Sequence, residues 1–94
     1  MATRERIGRA LADIAGRPRA VRFEEIAQIV NQIRTLGGIP IVERPTTHGY
    51  QYTIGSKIIR VCKHNPGDSH VKKAYVEDFL DAMVELGFYV VEEE

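Results

Sequence analysis

An isolated histidine, His48, is the residue of this sequence whose type and position could most readily do chemistry. It lies in segment 45–49, where a proline, two threonines and a glycine favour a turn. Histidine titrates near neutral pH, so its side chain can accept or donate a proton under ordinary conditions. A turn histidine without any chemical role is the alternative interpretation.

Positively charged residues are concentrated around His48 in the sequence. Segment 44–73 has six basic residues against one acid, Asp68, and it also contains all three histidines. Cleavage of RNA requires a base for the ribose 2′-hydroxyl or an acid for the leaving oxygen. It also requires cations for the charge that develops on the phosphate. The candidate RNA-contacting cations of the predicted strands are Arg44, Lys57, Arg60 and Lys63.

Further candidates lie between the last strand and the last helix. His64 could act as a second proton-transfer group or as a phosphate contact, and an exposed loop histidine is the alternative. Lys72 and Lys73 open the last predicted helix, where unpaired N–H groups and the positive end of the helix dipole suit a phosphate. The alternative is that these two lysines lie on a solvent-exposed face of the helix and bind no ligand.

No metal ion or other cofactor is predicted. Cys62, His64 and His70 have a spacing that matches none of the usual structural zinc patterns. The sequence also lacks a Gly-rich phosphate loop, a nucleophile elbow and a nucleotide-binding fingerprint. The single cysteine excludes an internal disulfide, and the longest apolar runs are too short to span a membrane. We therefore expect a cytoplasmic protein without a membrane partner.

The formal net charge of zero conceals an uneven distribution. Residues 1–22 carry six arginines against two acids, whereas most acids lie on the predicted helices and in the tail 92–94. A local basic surface suits an anionic partner such as RNA, but strong non-specific binding depends on many phosphate contacts. If RNA is the partner, we expect it to contact only the local basic surface and not the whole protein.

Helical periodicity predicts three helices. The first begins after a Thr3 cap and ends at Gly16, and a basic connector, 17–22, leads to a second helix over 24–36. The last helix covers 72–86. The apolar positions predicted to face the core are Ile7, Ala10, Leu11, Ile14, Ile26, Ile29, Val30, Ile33, Leu36, Val76, Phe79, Leu80, Met83 and Val84.

Three short strands are predicted between the second and third helices, over 39–44, 50–54 and 57–63. Alternation in the middle strand directs Tyr50, Tyr52 and Ile54 toward the core, and the same parity places His48 on that face. The two tyrosines could stack on bases, but alternate tyrosines on a strand more often pack in a core. Residues 88–91 could add a short edge strand.

This order of elements predicts one α+β domain, 1–94, in which the N-terminal helix and basic connector, 1–22, precede a core, 23–94. Helices on one face of a three-stranded antiparallel meander make a two-layer sandwich. The α-β-β-β-α order of residues 24–86 is that of the double-stranded-RNA-binding fold, which is a statement about fold and not about function.

Four segments resemble motifs of one bacterial toxin family, in the same order along the chain. The sequence VRFEEI at 21–26 resembles the start of a first helix, and TTHGYQY at 46–52 lies where the family has Gly-Ser-His before an apolar strand. The sequence VCKH at 61–64 resembles a Val-Pro-Arg-His segment, and VKKAYV at 71–76 resembles the opening of a last helix. The family is HicA.

The resemblance implies a small, metal-independent ribonuclease that cleaves messenger RNA, with a double-stranded-RNA-binding-like fold. It implies that His48 is catalytic, and that a HicB-like antitoxin protein is a partner. Two alternatives stay open beside this enzyme: a non-catalytic RNA-binding module with the same fold, and a protein-interaction module. RNA is the partner in the first two interpretations.

Overall fold

The structure is a computed structural model that describes residues 3–47, 49–62 and 70–89. Its elements in chain order are α1 (Arg4–Ala15), α2 (Phe23–Leu36), β1 (Ile41–Pro45), β2 (Gly49–Ile54), β3 (Lys57–Cys62) and α3 (Lys73–Glu85). The sheet is antiparallel with the strand order β1-β2-β3. The prediction of a small α+β protein with this order of elements is confirmed, with ends that differ by one or two residues.

Local side-chain chemistry explains where the first two helices begin and end. Thr3 has extended backbone angles, and its hydroxyl accepts a hydrogen bond from the backbone N–H of Arg6 at 3.1 Å. The carboxylate of Glu25 accepts from the N–H of Arg22 at 3.2 Å, which satisfies a backbone donor before α2. Helix α2 ends at Gly37, whose φ of +80° favours glycine.

The register of the sheet divides its side chains between two faces. Ile41 lies opposite Ile54, and Ile54 lies opposite Lys57 across a two-residue turn that Gly55 begins with a φ of +61°. Tyr52, Ile54, Ile59 and Val61 are buried on the face that packs into the core with the helices. The opposite face, which we call the outer face, contains Val42, Arg44, Gly49, Gln51, Thr53, Ile58, Arg60 and Cys62.

Most of the predicted core positions on the helices are buried. Of this set the structure buries Ile7, Leu11, Ile14, Ile26, Ile29, Val30, Ile33, Val76, Phe79 and Met83. Ala10 and Leu80 are partly buried at the edge of the core. Leu36 and Val84 are exceptions, with 36% and 39% of their surface exposed. Leu36 is the last residue of α2, whereas Val84 follows the buried Met83 and lies at the flank of α3, so the buried face of this helix is narrower than its apolar stripe.

The segments that precede α2 and α3 are joined to each other. The N–H of Val71 donates to the carbonyl of Val21 at 2.9 Å, and Arg22 and His70 form an antiparallel bridge. Both valines are buried, so their side chains belong to the core. The pairing therefore brings the beginnings of α2 and α3 close together.

Helix α1 packs against α2 and α3. At its first turn, the guanidinium of Arg4 lies 4.8 Å from the ring centre of the buried Phe88. Phe88 and Tyr89 are not in a strand, and the remaining residues of the predicted edge strand, 90–91, lie outside the described residues.

Arg17 links α1, the connector and α2. Its guanidinium donates to Asp13 at 2.6 Å, to the carbonyl of Ala20 at 2.7 Å and to both carboxylate oxygens of Glu25. The hydrogen bonds from Arg17 are the main cause of a lowered pKa at Glu25, despite the opposing effect of partial burial. The ionised form of Glu25 is therefore stabilised by folding.

We predict that Gly49→Ala strongly destabilises the protein, by about 3 kcal/mol. A Cβ atom at this position would lie 2.0 Å from the carbonyl oxygen of Val61 and 3.0 Å from the Cα of Cys62, and neither backbone atom can move away cheaply. The measurement is the free energy of unfolding in urea. Gly16→Ala is the matched control because Gly16 has helical angles and a Cβ there would make only ordinary contacts, at 3.6 Å from the carbonyl oxygen of Asp13. The stability of this variant should equal that of the wild type or rise by up to about 1 kcal/mol. Equal stability of the two variants would contradict the register at Gly49.

We predict that Glu25→Gln lowers the free energy of unfolding at neutral pH and that this loss disappears in acid. The pKa of Glu25 is lower in the folded chain than its ordinary value of 4.5, so the contribution is present above that value. It is lost as the pH falls through the lowered folded pKa. Unfolding in urea from pH 7 to pH 3 measures this difference, and a difference that stays constant with pH would contradict the assignment.

Candidate functional site

The outer face of the sheet arranges its side chains in rows that run across the three strands. Arg44, Gln51 and Arg60 are register partners and form one row, which we call the arginine row. Val42, Thr53 and Ile58 form the neighbouring row, in which Val42 is 50% exposed and Ile58 is 67% exposed. Among the described residues, Val42, Arg44, Ile58 and Arg60 of this face are exposed, whereas Gln51, Thr53 and Cys62 are half-buried.

Both arginines of the arginine row are exposed, and neither forms an ion pair with another described residue. Neighbouring strands lie about 4.8 Å apart, so the two Cα atoms are separated by about 10 Å. Gln51 lies between them and adds an amide that can donate and accept hydrogen bonds. The row therefore offers two uncompensated guanidinium groups on either side of a neutral polar group.

Lys57, which the sequence grouped with these cations, lies elsewhere. It begins β3, next to the turn at Gly55, and its Cα lies about 10 Å along the strand from that of Arg60, with the side chain on the opposite face. Its ammonium group pairs with the carboxylate of Glu85 at the end of α3. The structure therefore separates Lys57 from the arginine row and gives it an ion pair between two elements.

Lys72 and Lys73 lie where α3 begins, as predicted from the sequence. Lys72 is the residue before the helix, and its carbonyl accepts from the N–H groups of Tyr75 and Val76 at 3.0 and 3.2 Å. The first turn of α3 has no acidic residue and no side-chain cap, whereas Lys73 pairs with Glu77 at 3.4 Å. Of these two lysines, Lys72 is the one whose charge has no partner among the described residues.

His48, Lys63 and His64 lie outside the described residues, so their predicted roles stay predictions. Their neighbours in the sequence are described. Gly49, which follows His48, is the register partner of Cys62, which precedes Lys63. The N–H of Thr46 donates to the carbonyl of Gly49 at 2.8 Å, so the chain reverses between these two residues.

The two tyrosines of β2 belong to the core side of the sheet. Tyr52 is 1% exposed, and burial raises its pKa to about 12. The ring of Tyr50 lies 5.3 Å from that of Phe23 and 6.1 Å from that of Tyr52. This packing favours the core interpretation over base stacking for both side chains.

Tyr75 is a polar residue beside the arginine row that the sequence did not single out. Its hydroxyl interacts with the thiol of Cys62, which raises the pKa of Tyr75, and the charge of Arg60 acts on it in the opposite direction. Tyr75 precedes Val76 on α3, at the flank of the apolar stripe. A polar aromatic at such a flank, in the first turn of a helix, is the signal that could have identified it.

Within residues 3–47, 49–62 and 70–89, no group of three or more His, Cys, Asp or Glu side chains could hold a metal ion. No helix in this part of the chain is long and apolar enough to cross a membrane. Comparison of the chain with models of protein families, with curated proteins and with solved structures finds no match. Function is therefore inferred from the residues and their geometry.

Proposed function

We propose that this chain has a double-stranded-RNA-binding-like core, binds RNA, and cleaves messenger RNA without a metal ion, as a toxin of a toxin–antitoxin system. The single observation that carries RNA binding is the arginine row of Arg44, Gln51 and Arg60. Two guanidinium groups without ion-pair partners among the described residues suit phosphate groups, because guanidinium binds phosphate in a planar, bidentate way.

The proposed cleavage divides the work between a histidine and the cations. His48 takes the proton of the ribose 2′-hydroxyl or gives a proton to the leaving oxygen, and His64 is the candidate for the second transfer. Arg44 and Arg60 stabilise the negative charge that develops on the phosphate. The resemblance of segments 46–52 and 61–64 to HicA motifs supports these roles, together with the register of Gly49 and Cys62.

Non-catalytic RNA binding with the same fold is the second candidate function. The formal net charge of zero favours a local contact over the broad electrostatic binding of a strongly basic nuclease. A HicB-like antitoxin is the protein partner that the resemblance implies. Binding to such a partner is compatible with either candidate, because an inhibitor can cover the same surface.

We predict that replacing both arginines of the arginine row, by Arg44→Gln and Arg60→Gln, weakens the binding of single-stranded RNA. Each phosphate contact contributes about 0.7 to the slope of log K against log salt, so the slope should become about 1.4 units shallower. Lys57→Gln is the matched control because Lys57 lies on the opposite face of β3 from Arg60 and pairs with Glu85. Its slope should equal that of the wild type, measured by fluorescence anisotropy. An unchanged slope in the double variant would overturn the proposed binding surface.

We predict that the purified protein cleaves RNA in the presence of EDTA and that His48→Ala lowers the rate by about 10²–10⁴-fold. The variant should keep the RNA affinity of the wild type, because the arginine row is unchanged. Binding without cleavage in both proteins would favour the non-catalytic candidate. Equal cleavage by both would show that His48 is not the proton-transfer group, and the absence of RNA binding at low salt would remove both candidates.

A further inference from the structure

A row of uncharged, mostly aliphatic side chains lies next to the arginine row on the outer face, and we call it the apolar row. Its members, Val42, Thr53 and Ile58, are register partners in β1, β2 and β3. Each is two residues along its strand from a member of the arginine row, so the two rows run side by side about 7 Å apart. Exposed aliphatic side chains and exposed guanidinium groups therefore lie in parallel rows on one face.

The burial within the apolar row is the reverse of what strand formation alone explains. Valine, threonine and isoleucine are all branched at Cβ, and such side chains favour strands and stabilise each other across neighbouring strands. Threonine would serve this purpose at the exposed positions as well. The chain instead has threonine at the half-buried centre, Thr53, and aliphatic side chains at the exposed ends, with Ile58 67% exposed. The exposed ends therefore favour a ligand with an apolar part.

The size and the neighbourhood of the apolar row favour a nucleotide over a protein as this ligand. A stable protein interface buries about 800 Å² on each partner, and two aliphatic side chains whose Cα atoms lie about 10 Å apart provide only a small part of that area. A nucleotide has an anionic phosphate on one side of its sugar and a planar base on the other. The arginine row suits the phosphates, and the aliphatic side chains suit the faces of the bases.

We propose that Val42 and Ile58 contact the bases of a single RNA strand whose phosphates are bound by Arg44 and Arg60. This inference rests on the proposed RNA binding and names its substrate class, which is single-stranded RNA. In a duplex the bases are paired and stacked on each other, so their faces are not accessible to a sheet. The arginine row lies between the apolar row and the turn that joins β1 to β2, so the phosphates of the bound strand lie nearer to this turn than its bases do.

The test replaces the aliphatic ends of the row by threonine, which keeps the branch at Cβ and removes apolar surface. Ile58→Thr should weaken the binding of an unstructured single-stranded RNA by about fivefold, because an apolar contact is lost. Val42→Thr should have a smaller effect, and the two effects should multiply in the double variant because the sites are about 10 Å apart. No charge is removed, so the slope of log K against log salt should equal that of the wild type in fluorescence anisotropy.

A probe without bases and a variant away from the sheet are the controls. Inorganic polyphosphate has the charges of an RNA strand but no bases, so Ile58→Thr should bind it as tightly as the wild type does. Arg60→Gln should weaken the binding of both polyphosphate and RNA. Val84→Thr is the matched variant, because Val84 is an aliphatic side chain of α3 with 39% of its surface exposed, and its RNA affinity should equal that of the wild type.

Three results would overturn the inference. The first is that Ile58→Thr binds single-stranded RNA as tightly as the wild type, which would leave the row to strand formation or to a protein partner. The second is an equal loss of affinity for RNA and for polyphosphate, together with a lower melting temperature, which indicates a structural role. The third is an equal loss of affinity for single-stranded and for duplex RNA. All three leave the proposed RNA binding intact if Arg60→Gln still weakens it, whereas a wild type that binds no RNA at low salt would overturn both proposals.

Discussion

Burial of only one face of the sheet is the constraint on which the exposed chemistry depends. Tyr52 and Ile59 are register partners with 1% and 2% exposure, and they lie in the core with the apolar stripes of the helices. A slip of one residue in the pairing would turn both side chains to water, at a cost of about 2 kcal/mol for each. The same register obliges Arg44 and Arg60 to face outward in one row. Packing of the core therefore determines which side chains of the sheet are exposed to a ligand, before any ligand binds.

Two close backbone contacts bring distant parts of the chain to one end of the sheet. At the first, Val71 donates to Val21, and this bond holds the beginning of α3 beside that of α2. At the second, Gly49 approaches β3 so closely that a Cβ atom would meet the carbonyl oxygen of Val61 at 2.0 Å. Side chains at residue 49 are thus excluded for a steric reason, although the φ of this glycine is not positive. Backbone packing therefore brings the ends of the strands close to the beginning of the helix, and the polar side chains there do not cause this closeness.

Local patterns in the sequence were sufficient to predict the helices and strands. They were not sufficient to predict which charged side chains form ion pairs. Helical periodicity predicted the three helices because burial of one face gives an apolar period of 3.6 residues, and the error at Val84 arose because the buried face of α3 is narrower than its apolar stripe. Lys57 and Arg60 are three residues apart on a strand, so alternation places them on opposite faces. The ion pair of Lys57 with Glu85 depends on how α3 crosses β3, and no local pattern contains that information. The roles of His48, Lys63 and His64, which lie outside the described residues, stay predictions.

A net charge of zero is compatible with a basic row on the sheet because several acids of the described residues pair with other cations. Glu5, Asp13 and Glu77 each pair with an arginine or lysine four residues away on or next to their own helix, as the helical repeat dictates. No acid lies on the outer face of the sheet, and Gln51 separates the two arginines of the row. At a separation of about 10 Å in water, their repulsion costs about 0.4 kcal/mol, which is small against the stability of a domain. A carboxylate at residue 51 would remove even this cost, since it would lie next to both guanidinium groups. The amide instead leaves both arginines without an ion pair to any residue that the structure describes, and such guanidinium groups suit an anionic ligand.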